Sequence, residues 1–119
     1  MPHLALITKI IQIDPELQSL FNTHLADNEG EFLPYVFLGE LTLWLNKMYS
    51  DNEKDLKVRE LVKRITGIME EDFIHGDNST QELIAVSFVE NLPSTGQAGA
   101  SIRQFLGPIL EEQYRLLNW

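Results

Sequence analysis

Apolar residues recur every three or four positions along most of this chain, which is the spacing of helices that bury one face. The pattern predicts helices at residues 4–11 and 33–49, and it is clearest over residues 53–74. In the last of these the apolar side chains share one face: Val58, Leu61, Val62, Ile65, Ile68, Met69 and Phe73. No strand pattern competes with these helices.

Turn and capping residues mark where the helices begin and end. Asp14 followed by Pro15 is a helix-start signal, with the carboxylate as the cap and the proline at the first helical position. This second helix should end in the polar residues 27–30. Ser79 or Thr80 is placed to cap a fifth helix over residues 81–92. In a last helical stretch at residues 102–117, Gly107-Pro108 should kink or divide the helix.

The predicted fold is all-α, a compact bundle of about six antiparallel helices formed by a single domain over residues 1–119. With 119 residues, 44% of them apolar, the chain can bury a self-sufficient core. The fifth helix is apolar on nearly every side, so we expect it at the centre of the bundle.

Charge is distributed unevenly along the chain. The net charge is −9, and no Lys or Arg occurs at residues 10–46 or at residues 65–102. Each of these two cation-free segments carries six acidic residues, whereas six of the nine basic residues lie at positions 47–64. Such a field repels nucleic acid and anionic membranes and attracts basic protein surfaces. We therefore expect a basic protein partner, with neither nucleic acid nor membrane bound.

The candidate contacts for that partner were chosen by charge from the two cation-free segments. They are Glu29, Glu31, Glu40, Glu70, Glu71, Asp72, Asp77 and Glu82. Phe32, Tyr35 and Trp119 are either core residues or aromatic anchors of the interface.

Catalytic signals are weak. The chain has no cysteine and three well-separated histidines, and its serines lie in no nucleophile motif. Glu71 and His75 are four residues apart, so a small metal-dependent enzyme using residues 70–77 is one alternative, and a solvated helix end is the other. We expect a protein that is not an enzyme and that needs no metal or cofactor. The N-terminus has no basic cluster and no uninterrupted apolar stretch, so we expect a cytoplasmic protein.

Four segments resemble a group of small all-helical bacterial immunity proteins. They are Asp14-Pro15-Glu16, residues 31–36 (EFLPYV), residues 81–92 (QELIAVSFVENL) and residues 105–108 (FLGP). The resemblance is to proteins of toxin–immunity loci, including contact-dependent growth inhibition systems. It implies a dedicated antagonist that blocks a cognate toxin, often a nuclease with a basic cleft, and it brings no catalytic motif.

A second interpretation is a helical adaptor or regulatory module that binds some other protein. Both interpretations require the same acidic, aromatic-studded surface, so the sequence leaves them open.

Overall fold

The computed structural model describes residues 3–117, and within that range the chain is all-α, as predicted. It contains six α-helices: α1 (Leu4–Ile11), α2 (Pro15–Asp27), α3 (Pro34–Asp51), α4 (Leu56–His75), α5 (Asn78–Ser87) and α6 (Pro108–Leu117). Two short 3₁₀ helices, Val89–Asn91 and Ala100–Phe105, lie between α5 and α6. Helix α3 packs against α2, α4 and α5, and α4 packs against α1, α3, α5 and α6. These two helices therefore organise the bundle.

Several predicted boundaries are confirmed at atomic level. The Asp14 carboxylate accepts the backbone N–H of Glu16 at 2.8 Å, and Pro15 is the first residue of α2. Pro34 is likewise the first residue of α3, although the side chain of Leu33 before it does not cap the helix. Gly107-Pro108 divides the last helical stretch, because α6 begins at Pro108 after a separate 3₁₀ helix.

The predictions for the fifth helix were partly wrong. Its cap is Asp77 and not Ser79 or Thr80, since the Asp77 carboxylate accepts the Thr80 N–H at 2.9 Å. Helix α5 starts three residues earlier than predicted and ends at Ser87, after which the chain tightens into a 3₁₀ turn. It is also not central, because Val86 is exposed on its outer face while Leu83, Ile84 and Phe88 are buried.

One core joins all six helices. Its fully buried residues come from every part of the described chain and include Ile7, Leu17, Phe37, Ile65 and Leu110. No helix within residues 3–117 is both long and apolar enough to cross a bilayer.

Side-chain contacts hold residues 93–105 against α3 and α4. The Tyr49 hydroxyl meets the Ser101 hydroxyl at 2.8 Å, and its ring contacts Phe105 edge-on with centroids 5.8 Å apart. The Arg59 guanidinium lies 5.1 Å from the Phe105 ring centroid, and the Arg103 guanidinium lies 4.5 Å from that of Tyr114. Both distances suit cation–π contacts. Two of the nine cations are thus held on this side of the molecule.

Helix α6 is capped by a carboxylate from another helix. Gly107, at its N-terminus, has no side chain to accept the free N–H groups of the first turn. Instead Glu70 of α4 reaches across, and its Oε1 accepts the Leu110 N–H at 2.8 Å. A Cβ at Gly107 would overlap the Glu70 carboxylate. The absence of a side chain at position 107 therefore lets the Glu70 carboxylate approach the start of α6.

We expect Glu70→Ala to lower the free energy of unfolding by about 1 kcal/mol, the usual effect of losing a helix cap. Gly107→Ala should also destabilise, because the methyl group displaces the carboxylate. Its cost should shrink in the Glu70→Ala background, where nothing is left to displace. Urea unfolding of the two single variants and the double variant measures this coupling.

The matched control is Glu71→Ala on the neighbouring, solvent-exposed position of α4. Its free energy of unfolding should change by less than about 0.5 kcal/mol. Additive costs of Glu70→Ala and Gly107→Ala would contradict the cap.

Candidate functional site

The connection between α2 and α3 is built around a buried histidine. His24 is 1% exposed and lies among the rings of Phe21, Phe32 and Phe37. Those rings also contact one another edge-on, with centroids 5.3–6.4 Å apart. Phe32 is therefore a core residue. A polar ring in such surroundings needs a hydrogen-bond partner at each nitrogen.

Both ring nitrogens of His24 have a partner. The Leu33 backbone N–H donates to Nε2 at 3.1 Å, and Nδ1 lies 2.7 Å from Glu40 Oε1. Because Nε2 accepts, the ring proton must sit on Nδ1 and be donated to the Glu40 carboxylate. Leu33 is the residue before α3, and its side chain cannot cap a helix. His24 thus fixes the start of α3 from α2.

This arrangement holds three predicted contact residues near one another. Glu29 and Glu31 are exposed on the turn that His24 anchors at Leu33, and Glu40 reaches the same imidazole from α3. The turn is tight, with Glu29 at φ 55° and Gly30 at φ 83°. Glu40 keeps nearly half of its side chain exposed, so its second oxygen faces solvent.

The two cation-free segments meet where α3 packs along α5. The Asn46 amide donates to the Asn91 carbonyl at 2.8 Å. A Cβ at Gly39 would already touch the Asn91 amide nitrogen, at 3.8 Å. Asn91 in turn donates to the Ser87 carbonyl at the end of α5. Helix α3, which carries Glu40, thus packs beside α5 and its adjoining 3₁₀ turn, which carry Glu82 and Glu90.

Both helices carry exposed apolar residues between exposed carboxylates. On α3, Val36 and Leu43 lie on either side of Glu40 and are 48% and 59% exposed. On α5, Val86 is 42% exposed and lies one turn from Glu82. Exposed Glu90 follows in the adjoining 3₁₀ turn. We call the exposed residues of this region the α3–α5 face: Glu29, Glu31, Tyr35, Val36, Glu40, Leu43, Glu82, Val86 and Glu90.

The sequence prediction named Tyr35 as a possible anchor but missed Val36, Leu43, Val86 and Glu90. A usable signal was present, because Val36 and Leu43 fall outside the buried stripe of α3, in which Phe37, Leu41 and Leu45 lie. Of the three ambiguous aromatic residues, Tyr35 is exposed, Phe32 is buried, and Trp119 lies outside the described residues.

The remaining predicted contacts lie around the end of α4 and are mostly engaged within the protein. Glu70 caps α6, and the largely buried Asp72 carboxylate accepts from Lys9 Nζ at 2.8 Å. Glu71 is exposed and faces His75 at 3.3 Å. No group of three His, Asp or Glu side chains in residues 3–117 is placed to hold a metal ion.

Asp77 is occupied as the cap of α5. The Thr80 backbone N–H and the Thr80 hydroxyl donate to its carboxylate and lower the pKa of Asp77 below its ordinary value of 3.8. The carboxylate therefore stays charged at neutral pH and keeps its acceptor role. Its capping contribution is present above that ordinary value and is lost as the pH falls through the lowered pKa.

Nitrogen-15 NMR of the imidazole ring tests the anchoring of the α2–α3 turn. The His24 ring should carry its proton on Nδ1 and show a protected ring N–H signal. His24→Leu should fold less stably by about 1–3 kcal/mol, because the Leu33 N–H loses its acceptor inside the protein. The exposed His75 serves as an internal control and should show no protected ring proton. A proton on Nε2 of His24 would contradict the geometry.

Comparison with known proteins gives a family and no activity. No curated protein and no solved structure matches the chain. A family described as a domain of unknown function, DUF7674, matches residues 7–119, which include the α3–α5 face and every helix from α2 to α6. The chain belongs to this DUF7674 family.

Proposed function

We propose that this protein is an immunity protein, which binds a cognate toxin domain through the α3–α5 face and neutralises it. The observation that supports the proposal is the packing of α3 along α5, which puts Glu40 of one cation-free segment and Glu82 of the other on neighbouring helices. The resemblance of four segments to immunity proteins favours this partner over others.

Electrostatics supports a basic partner. Many toxins of such loci are nucleases, whose substrate clefts are positively charged so as to bind nucleic acid. A surface bearing five exposed carboxylates, with Lys47 at its border one turn after Leu43, attracts such a cleft at long range and accelerates encounter. The same surface repels nucleic acid, so the immunity protein does not itself bind the toxin's substrate.

The exposed apolar residues can slow dissociation of the complex, which charge alone does little to slow. Charged pairs at an interface rim contribute mainly to association rate, whereas apolar anchors that become buried slow dissociation. Tyr35, Val36, Leu43 and Val86 lie among the carboxylates and are suited to that role. The face thus combines apolar contacts with polar surroundings, as in stable protein interfaces.

The proposed mechanism is occlusion and involves no reaction. The immunity protein is made in the cytoplasm of the cell that encodes the toxin and covers the toxin's cleft. Neither a cofactor nor a metal takes part, and no catalytic residue is assigned.

Co-expression with the gene immediately upstream tests the function. That gene should encode a toxic protein with a basic domain, and the present chain should restore growth. Glu82→Lys/Glu90→Lys should slow association with the toxin domain by roughly tenfold or more at low ionic strength, because both carboxylates are exposed and unengaged. Surface plasmon resonance at several salt concentrations measures the rate.

The matched control is Glu60→Lys/Glu112→Lys, which changes net charge equally at exposed positions of α4 and α6. It should leave the association rate within about twofold, since long-range steering depends on where the charge lies. Equal slowing by both pairs would refute the α3–α5 face. A harmless upstream protein would refute the immunity function and leave the adaptor interpretation.

A further inference from the structure

Two adjoining hollows open on either side of Trp44, at the surface where α2, α3 and α4 meet. They share the Trp44 indole and the Glu16 side chain as lining. The indole is only partly buried and packs on the core at its inner edge. A large aromatic ring with two open sides is an unusual feature for a residue that serves packing alone.

The first hollow has one carboxylate and two hydroxyl side chains in its wall. It has a volume of about 230 Å³, and besides the two shared residues it is lined by Ser19, Leu20 and Thr23. None of these residues is basic, and all five belong to the first cation-free segment. Glu16 offers a carboxylate, and the two hydroxyls offer further acceptors.

The second hollow is smaller and is lined by more apolar side chains. Its volume is about 120 Å³, and its walls include Met48, Val58 and Leu61. Lys57 also lines it and makes it less favourable for a second cation, whereas Asp14 is already engaged as the cap of α2. An apolar side chain suits this hollow better than a charged one.

We propose that the Trp44 site binds a basic segment of a protein partner, with an arginine side chain in the first hollow and a neighbouring apolar side chain in the second. Guanidinium groups stack on indole faces and pair with carboxylates through two parallel hydrogen bonds, which matches Trp44 beside Glu16. Lysine provides only a point charge and fits this combination less well.

The site lies next to the α3–α5 face. Trp44 is one helical turn after Glu40 and adjacent to Leu43 in α3, so a partner covering the face can extend into both hollows. In this form the inference rests on the proposed function, to which it adds a specific contact. The Trp44 site can nevertheless be tested without the toxin.

The test is NMR titration of the whole chain with four short, blocked peptides. They carry Arg-Leu, Lys-Leu, Arg-Ser or Glu-Leu between the same Gly and Ser residues. Arg-Leu should shift the Trp44 indole N–H and the amides of Ser19 and Thr23 with saturation. The other basic peptides should bind at least fivefold more weakly, and Glu-Leu should produce no saturable shift.

Glu16→Gln should weaken Arg-Leu binding at least fivefold, because it removes the carboxylate that pairs with the guanidinium. Glu112→Gln, a control on an exposed position of α6, should leave it unchanged. Trp44→Phe keeps an aromatic ring and should weaken binding by a smaller factor than Trp44→Leu.

Three results would overturn the proposal: no shift of the Trp44 indole at about 5 mM peptide, which is several times a Kd of about 1 mM; equal binding of Arg-Leu and Lys-Leu; or no effect of Glu16→Gln. If Arg-Leu does not bind at Trp44 but toxin neutralisation still depends on Glu82 and Glu90, only the Trp44 site is refuted. Specific Arg-Leu binding at the Trp44 site, together with a harmless upstream protein, would refute only the immunity function.

Discussion

The contact between α3 and α5 determines both the shape and the charge of this protein's surface. Helix α3 packs along α5, and beyond the end of α5 the Asn46 amide hydrogen-bonds the Asn91 carbonyl of the 3₁₀ helix Val89–Asn91. Beneath this contact, Leu38, Leu45, Leu83 and Ile84 are buried in the common core. Most of α3 and all of α5 come from the two cation-free segments, so the exposed charged residues on the outer side of this contact are acidic, apart from Lys47, which pairs with Asp51 near the end of α3.

Carboxylates in this chain have two separate roles. Asp14, Asp55 and Asp77 each cap the helix that follows them, and Glu70 caps α6 from a neighbouring helix. Negative charge at a helix N-terminus is favourable because the free N–H groups and the helix dipole are positive there. A substantial part of the net charge is therefore used in folding, and the exposed glutamates of the α3–α5 face form the part available to a partner.

Local rules predicted the helices better than they predicted the site. Apolar periodicity and the Asp14-Pro15 signal gave the all-α fold and the start of α2, because both act within one or two turns. The capping of α5 was misassigned because several polar residues in a row could serve, and the choice of Asp77 depends on backbone geometry. The role of Glu70 depends on α6, which lies 40 residues away, and spacing along the chain cannot show it.

The same limit applies to the candidate contacts. Charge alone grouped Glu70, Asp72 and Asp77 with Glu29, Glu31, Glu40 and Glu82, whereas the fold engages the first three in caps and an ion pair. The exposed apolar residues of the face were visible as departures from the buried stripe, but their placement between carboxylates of two helices required the tertiary structure. Similarly, the sequence shows Trp44 and Glu16 as distant residues, and only the packing of α2 on α3 makes them neighbours.

Amide hydrogen exchange in the presence of the upstream gene's product, disabled in its toxic activity, tests the central claim most directly. Binding through one joint acidic surface should slow exchange in residues 29–43 and residues 78–90 together, with little change in α1 or α6. Protection confined to one of the two segments, or centred on the basic residues 54–64, would contradict it.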